Sequence, residues 1–306
     1  MSDILHYYNS FHLHEKDLLP FDDKCLFCSG INRKNIFLIQ EEPEIFLALC
    51  KNCFAVSATR IPNKDFLKHH YQINYRNKSR KMNFNNSKKL AWHIFKLVNK
   101  FSKTYIHKNK QIRIIDFGCG DGAVSIALSK MFIQKEHSVD LILVDTNIDL
   151  DCHTQVGASL SIKKYNDLSD FDIHDADIVI ASAVMEHIPF PVPILKDLFK
   201  KLKKGGFLYI RVPCVVSLLR VLNFFRIRPG FPYPGHLHDL GQGFWQHTDI
   251  LKDFLVLYSR PSPVETSFRF HFLRTLLAYI LKAPWYIFRS RYVLIGGLEI
   301  FSRKLL

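Results

Sequence analysis

Residues 112–122 read IRIIDFGCGDG: an apolar run that closes on Asp116, then glycine at three alternate positions, Gly118, Gly120 and Gly122. The residues that follow, AVSIALSKMF from position 123, repeat apolar side chains at helical spacing. A strand that passes through glycines into a helix needs them where the backbone turns tightly and where a ligand lies on the chain with no Cβ between. A second carboxylate, Asp145, closes the next apolar run, LILVD at 141–145, 23 residues beyond Gly122. A carboxylate so placed accepts hydrogen bonds from both hydroxyls of a ribose. Together these features predict a nucleoside pocket at the carboxyl ends of parallel strands, where open α/β sheets hold their ligands.

Outward from this stretch the pattern alternates. Strands are expected at 112–117, 139–145, 161–165, 176–182 and 207–213, with helices at 123–132 and 193–204. Upstream, Ser87 is a plausible helix N-cap, since Leu90, Ile94, Leu97, Val98 and Phe101 recur on one helical face. Alternation of this kind predicts the α/β class: a doubly wound, mostly parallel sheet with right-handed crossovers. The cofactor stays open at this point. The dinucleotide fingerprint wants glycine at position 123, and Ala123 is its permitted variant, whereas Asp116 suits a nucleoside with a cationic amino-acid end.

Four of the seven cysteines form two pairs, Cys25 with Cys28 and Cys50 with Cys53. Two intervening residues let both thiolates of a pair face one tetrahedral Zn²⁺, and two pairs close its shell, so such a zinc is structural. The stretch between the pairs, IFLIQ then IFLAL, reads as a hairpin too small to hold itself together, and metal binding supplies the missing folding energy. Two disulfides are the rival reading, disfavoured in a reducing compartment. Cys119, Cys152 and Cys214 have no such partners and are expected to be buried or incidental.

At 306 residues, 48% hydrophobic, the chain suits one large domain and a small one. The first residues lack a secretory pattern, and arginine or lysine breaks the late apolar stretches, so a cytoplasmic protein with no membrane span is expected. A net charge of +14 points to nucleic acid, a phosphorylated or nucleotide-linked small molecule, or an anionic membrane, or else to solvated lysines alone.

Over residues 111–213 the chain resembles the class I S-adenosylmethionine-dependent methyltransferases, whose first motif is an acidic residue followed by G-x-G-x-G. Asp145 matches the acidic end of their second strand, Asp167 a polar residue after the third, Ser182 with Glu186 and His187 the end of the fourth, and Gly205 and Gly206 the entry to the fifth. The resemblance favours S-adenosylmethionine over a nicotinamide cofactor. It implies a seven-stranded, Rossmann-like sheet, with the backbone from Gly118 through Cys119 and Gly120 to Gly122 along the methionine portion. It also implies Asp116 and Ser182 in the cofactor site, Asp145 and Thr146 at the ribose, and Asp167 at the adenine amino group. The sulfonium methyl is already activated, so the protein has to align a nucleophile and, where needed, remove a proton. His187 is the best-placed base, with His236 and His238 next, while Glu186 is an alternative cofactor contact. The motifs of exocyclic-amine methylation and of RNA cytosine-C5 methylation are not present after the fourth strand. A four-cysteine zinc ribbon, a segment with Tyr71 and Tyr75 and then this domain resemble bacterial methyltransferases of nucleotide-linked sugars and related metabolites.

The expected organisation is a tail at 1–20, the zinc ribbon at 21–58, a basic linker and packing helix at 59–110, and the cofactor domain at 111–306 with substrate-cover insertions at about 214–247 and 271–291. After Thr248 as N-cap a helix is expected over DILKDFLVLY, then antiparallel strands near 264–270 and 292–301. The insertion between those strands, rich in aromatics and cations, is expected to cover substrate or to rest on an anionic membrane. The resemblance implies methyl transfer to a small-molecule acceptor, a hydroxyl first and a carbon or amine next, of a sugar, glycan precursor or secondary metabolite. A basic, zinc-bearing RNA methyltransferase and a non-catalytic cofactor-binding protein are the alternatives, separable by salt-dependent RNA binding and by cofactor calorimetry.

Overall fold

Apolar runs of six or seven residues, bounded by glycine or charge, are long enough to cross a buried sheet, and the helices between them bring successive runs side by side. The computed structural model describes residues 12–76, 84–102, 111–146, 158–226, 231–262, 272–289 and 292–305. In chain order these form β1 (Arg33–Gln40), β2 (Ile45–Cys50), β3 (Val56–Ala58), α1 (Lys64–Arg76), α2 (Phe84–Phe101), β4 (Gln111–Phe117), α3 (Ala123–Ile133), β5 (Ser138–Val144), β6 (Leu160–Tyr165), β7 (Ala176–Ser182) and α4 (Pro191–Lys201). There follow β8 (Leu202–Cys214), α5 (Val216–Phe224), β9 (His238–Asp239), α6 (Gln242–His247), β10 (Phe254–Pro261), α7 (Phe272–Lys282), α8 (Trp285–Phe288) and β11 (Gly296–Lys304).

The large sheet has seven strands in the order β10-β11-β8-β7-β4-β5-β6, with β4 to β8 parallel and β11 and β10 antiparallel at one edge. Strand order reverses on either side of β4, whose neighbours are β5 and β7, so the glycine run leaves the sheet at its switch point. One face is covered by α2 and α3. Leu90, Ile94, Leu97 and Val98 pack there with Ile112, Ile114, Leu128 and Phe132, all buried. Helix α2 starts at Phe84, which puts Ser87, expected as its cap, inside the helix and buried. On the other face Leu195 and Leu198 of α4 share a core with Ile115, Val179 and Ile210.

Cys25, Phe27, Cys50 and Cys53 belong to that second core. The N-terminal strands form a four-stranded sheet in the order β1-β2-β3-β9, and its last strand comes from the chain between β8 and β10. The cysteine-bearing segment is thus hydrogen-bonded into the insertion, with Val56 opposite Asp239 and Ser57 opposite His238.

Two local expectations need correction. The stretch after Thr248 is a single 3₁₀ turn (Asp249–Leu251), capped by the Thr248 hydroxyl on the Ile250 amide at 3.3 Å, and then strand β10. Its residues fit a helical spacing, but pairing with β11 along the sheet edge, from Phe254 opposite Lys304 to Pro261 opposite Leu298, decides its conformation. Helix α4 ends at Lys201, and β8 begins at Leu202, with Lys203, Lys204, Gly205 and Gly206 inside the strand, where Gly205 has φ +78°. The strand expected at 264–270 lies outside the described residues, as do Cys152 and residues 1–11 of the expected tail. Between β10 and β11 the described chain is helical, as α7 and α8.

Candidate active site

The loop between β4 and α3 is held from below by the end of β5. The amides of Gly118 and Cys119 both donate to the Val144 carbonyl, at 2.8 and 3.4 Å, and the Gly120 amide donates to Asp145 Oδ2 at 2.8 Å. Gly118, Gly120 and Gly122 all have φ between +58° and +69°, a region a Cβ disfavours. The surroundings separate the three. A Cβ on Gly118 would stand 2.4 Å from Val184 Cγ2, and one on Gly122 would stand 2.8 Å from Leu143 Cδ1. At Gly120 it would meet nothing within 4 Å. Two glycines therefore admit the protein's own packing, and the middle one faces open space.

Asp116 is 4% exposed at the end of β4. Burial pushes its carboxyl up to about 7, with the Ser125 hydrogen bond opposing and the charges of Asp145 and Asp121 adding. A buried carboxylate beside an open cradle matches a ligand with a cationic group. Cys119 is half-buried, its thiol raised chiefly by burial. Thr146 is exposed next to Asp145. The Asp167 carboxylate is engaged locally: Oδ1 accepts from the Ser169 amide at 2.9 Å and from the Ser169 hydroxyl at 2.8 Å. Ser182, at the end of β7, accepts from Arg211 Nε at 3.1 Å.

A turn after β7 forms the second wall. Ala183 takes a left-handed φ of +57°, a cost of about 1 kcal/mol or more for a residue with a Cβ, and its amide donates to the Arg211 carbonyl at 2.7 Å. That turn presses Val184 on Gly118 and starts a short 3₁₀ helix over Met185–His187. Within it Glu186 is 2% exposed and His187 half-buried. His187 Nδ1 lies 2.5 Å from the Gly235 carbonyl, an acceptor, and so carries a proton, so that in the neutral ring the lone pair is on Nε2. The Tyr71 hydroxyl, from α1, reaches the His187 and Gly235 carbonyls at 3.4 and 3.3 Å. His236 packs edge-on to His187 with ring centroids 4.7 Å apart, and burial holds it well below the usual imidazole range. His238 is fully buried between the Ser57 hydroxyl and the Ile188 carbonyl, at 3.0 and 2.8 Å, and serves the packing there.

Sequence pattern named the glycines, the carboxylates, His187 and His236. It missed the union of Glu186, His187 and His236 in one cluster and the Tyr71 strut under it, because these join chain segments tens to over a hundred residues apart.

The four paired cysteines converge, every Sγ within 4.8 Å of the others. Cys25 and Cys53 stand 3.6 Å apart, and Cys28 and Cys50 3.5 Å. Both pairs turn alike. The Ser29 amide donates to the Cys25 carbonyl at 2.8 Å and the Phe54 amide to that of Cys50 at 3.0 Å, and Ser29 and Phe54 have φ of 58° and 60°. The hydrogen bond between Cys25 and Cys53 pulls the Cys25 thiol down and pushes that of Cys53 up. Four thiols at this spacing are the donor set of a closed tetrahedral site for a soft or borderline dication.

A mostly parallel seven-stranded sheet with a glycine loop at its switch point and a carboxylate closing the neighbouring strand defines the class I methyltransferase fold. A family model described as a methyltransferase domain matches residues 84–247, more than half of the chain, and the protein belongs to that family, that of class I S-adenosylmethionine-dependent methyltransferases. Among curated proteins the chain is 27% identical over 113 residues to a ubiquinone biosynthesis O-methyltransferase of Xanthomonas campestris pv. campestris (strain B100), which covers 35% of this chain and 46% of that protein. It is 27% identical over 110 residues to the mitochondrial ubiquinone biosynthesis O-methyltransferase of Candida albicans, covering 34% of this chain and 33% of the other. The match thus spans less than half the length of these relatives. Among solved structures, the plantazolicin methyltransferase BpumL in complex with a monoazolic desmethylPZN analogue and SAH aligns with a TM-score of 0.46 at 17% identity, over 79% of this chain and 91% of that one.

Proposed function

We propose that this protein transfers the methyl group of S-adenosylmethionine to a small-molecule acceptor, a hydroxyl or carbon of a sugar, glycan precursor or secondary metabolite. The single observation that carries the reading is the open side of Gly120, flanked by two glycines whose Cβ positions the protein itself fills. In this reading the Gly118–Gly122 backbone, with Cys119 as a neighbour, cradles the methionine portion, and ionised Asp116 favours its ammonium group. Asp145 and Thr146 hold the ribose, Asp167 meets the adenine amino group, and Ser182 borders the site from β7.

The bound cofactor supplies a methyl group already activated by sulfonium charge. The protein's part is to align the acceptor and handle its proton. With the cofactor held by the Gly118–Gly122 backbone and Asp145, its methyl group would be supplied to an acceptor oxygen, and His187 Nε2 would take the hydroxyl proton. The Gly235 carbonyl on Nδ1 keeps that nitrogen in the accepting tautomer, and His236 stands behind it. Cys25, Cys28, Cys50 and Cys53 hold a structural zinc, a reading supported by their convergence.

Among the described residues no helix is long and apolar enough to cross a membrane. Helices α7 and α8 expose Tyr279, Ile280, Tyr286, Ile287 and Phe288, and Arg289 follows them, a surface suited to a lipid-linked acceptor or to peripheral contact with an anionic bilayer. Calorimetric titration with S-adenosylmethionine tests the core of the reading: saturable micromolar binding supports it, and no heat of binding by a folded chain removes it.

A further inference from the structure

We infer that the chain docks on an anionic lipid bilayer through helices α7 and α8 together with the tip of α5. Leu276, Tyr279 and Ile280 of α7 recur at helical spacing and are all exposed. In α8, Ile287 is 77% exposed between exposed Tyr286 and Phe288, and at the end of α5 Phe224 is 82% exposed beside exposed Phe225. Single apolar side chains on a surface are ordinary, but a gathered set marks a contact face.

These side chains point outward from helices that are tied down. Buried Lys282 donates from Nζ to the Ser262 carbonyl at 2.8 Å, and the Tyr292 hydroxyl donates to the Leu281 carbonyl at 2.6 Å. Buried Trp285 donates from Nε1 to Gln242 Oε1 at 3.4 Å. Three residues before Gln242, Asp239 Oδ2 accepts from the amides of Val215 and Val216 at 2.6 and 2.9 Å, where α5 begins. The short stretch 239–242 thus anchors both α5 and α8. Strand register fixes where they lie: Cys214, the last residue of β8, is opposite Gly296, and Pro261, the last of β10, is opposite Leu298. All three helices therefore leave the sheet at the carboxyl ends of its parallel strands, the end where Gly120 opens.

Charge selects the partner. Residues 215–238 and 266–298 contain seven arginines and one lysine, and no Asp or Glu. Arg220, Arg226 and Arg289 are exposed beside the apolar side chains, and Arg289 lies over the Trp285 ring at 5.3 Å. Apolar side chains rimmed by arginine suit acyl chains beneath anionic head groups. A second copy meeting the same face would set cation against cation, and nucleic acid would leave Ile280 and Ile287 in water. Docked in this way, the cradle opens on the side of the head groups, and an acceptor carried on a lipid reaches it from the bilayer. That consequence rests on the methyl-transfer reading; bilayer binding itself does not.

Flotation of the full chain with vesicles of phosphatidylglycerol and phosphatidylcholine in equal parts tests the surface. Wild type should float with them, and ~tenfold less with phosphatidylcholine alone. Ile287→Ser with Phe288→Ser, and Phe224→Ser with Phe225→Ser, should each weaken binding ~tenfold or more, with the melting temperature unchanged because these side chains are exposed. Lys88→Ala with Lys96→Ala, exposed cations of α2, should leave binding as it is. Folded wild type that stays in the soluble fraction overturns the surface, and so does flotation that survives both apolar double substitutions. An equal loss from the α2 pair, or capture of an RNA oligonucleotide with no vesicle binding, overturns it too. Cofactor titration of the same samples keeps such a failure distinct from failure of the methyl-transfer reading.

Discussion

Asp145 Oδ2 accepts a hydrogen bond from the Gly120 amide at 2.8 Å, so the carboxylate that closes β5 and the glycine that faces open space are joined directly. The carboxylate proposed to hold the ribose and the loop proposed to cradle the methionine portion are in this way one unit, and disturbing either is felt by the other.

Asp145→Asn keeps the size of the side chain and removes the charge and one acceptor. Loss of a hydrogen bond to a charged group costs about 1.5 to 3 kcal/mol, so S-adenosylmethionine affinity should fall ~10- to 100-fold, measured by calorimetry, with the melting temperature little changed.

The three loop glycines should differ in what alanine does to stability. All three pay for a left-handed φ, about 1 kcal/mol or more. Gly118→Ala adds a clash with the stiff Val184, whose Cβ would be only 2.6 Å away, and Gly122→Ala adds contact with the end of the more pliant Leu143. Thermal melting should rank the losses Gly118 first, Gly122 second and Gly120 least.

Asp116 sets a pH dependence. Its carboxyl titrates near 7 because burial disfavours the charged form, and an ammonium ligand prefers it ionised. Affinity should therefore rise from pH 6 through 7, and fall again above ~8 as the ligand's own α-amine loses its proton. The stability sign is opposite: a carboxyl raised from 3.8 to about 7 favours the unliganded fold at low pH, and that contribution is lost as pH rises through 7. Asp116→Asn should flatten the rise in affinity between pH 6 and 7.

Zinc analysis of the purified chain should give one equivalent held by thiolate. Cys25→Ser or a strong chelator should release it and lower the melting temperature, and the loss should extend beyond the ribbon because the cysteines share a core with Val179 and Ile210.

How much of this was legible in the sequence depends on the range of the forces involved. The strand, glycine loop and helix at 111–133 are set by neighbours in sequence, through apolar periodicity and the residues that tolerate positive φ, and the parallel direction of the strands follows from their alternation with helices. The two cysteine turns are equally local. What pattern could not supply is pairing across the fold. Strand β10 reads as a helix until β11, some forty residues on, offers it an edge. The β3–β9 ladder ties the cysteine segment to His238, and the Gly235 carbonyl orients His187 from 48 residues away. Only the folded chain shows that Gly118 and Gly122 serve packing while Gly120 faces the cleft.

The most direct test compares cofactor binding and folding in wild type and Gly120→Val. If the open side of Gly120 is where the cofactor lies, wild type binds S-adenosylmethionine in the micromolar range and the variant at least a hundredfold more weakly, while staying folded because its Cβ meets no protein atom. A folded Gly120→Val chain that binds the cofactor as tightly as wild type would contradict it.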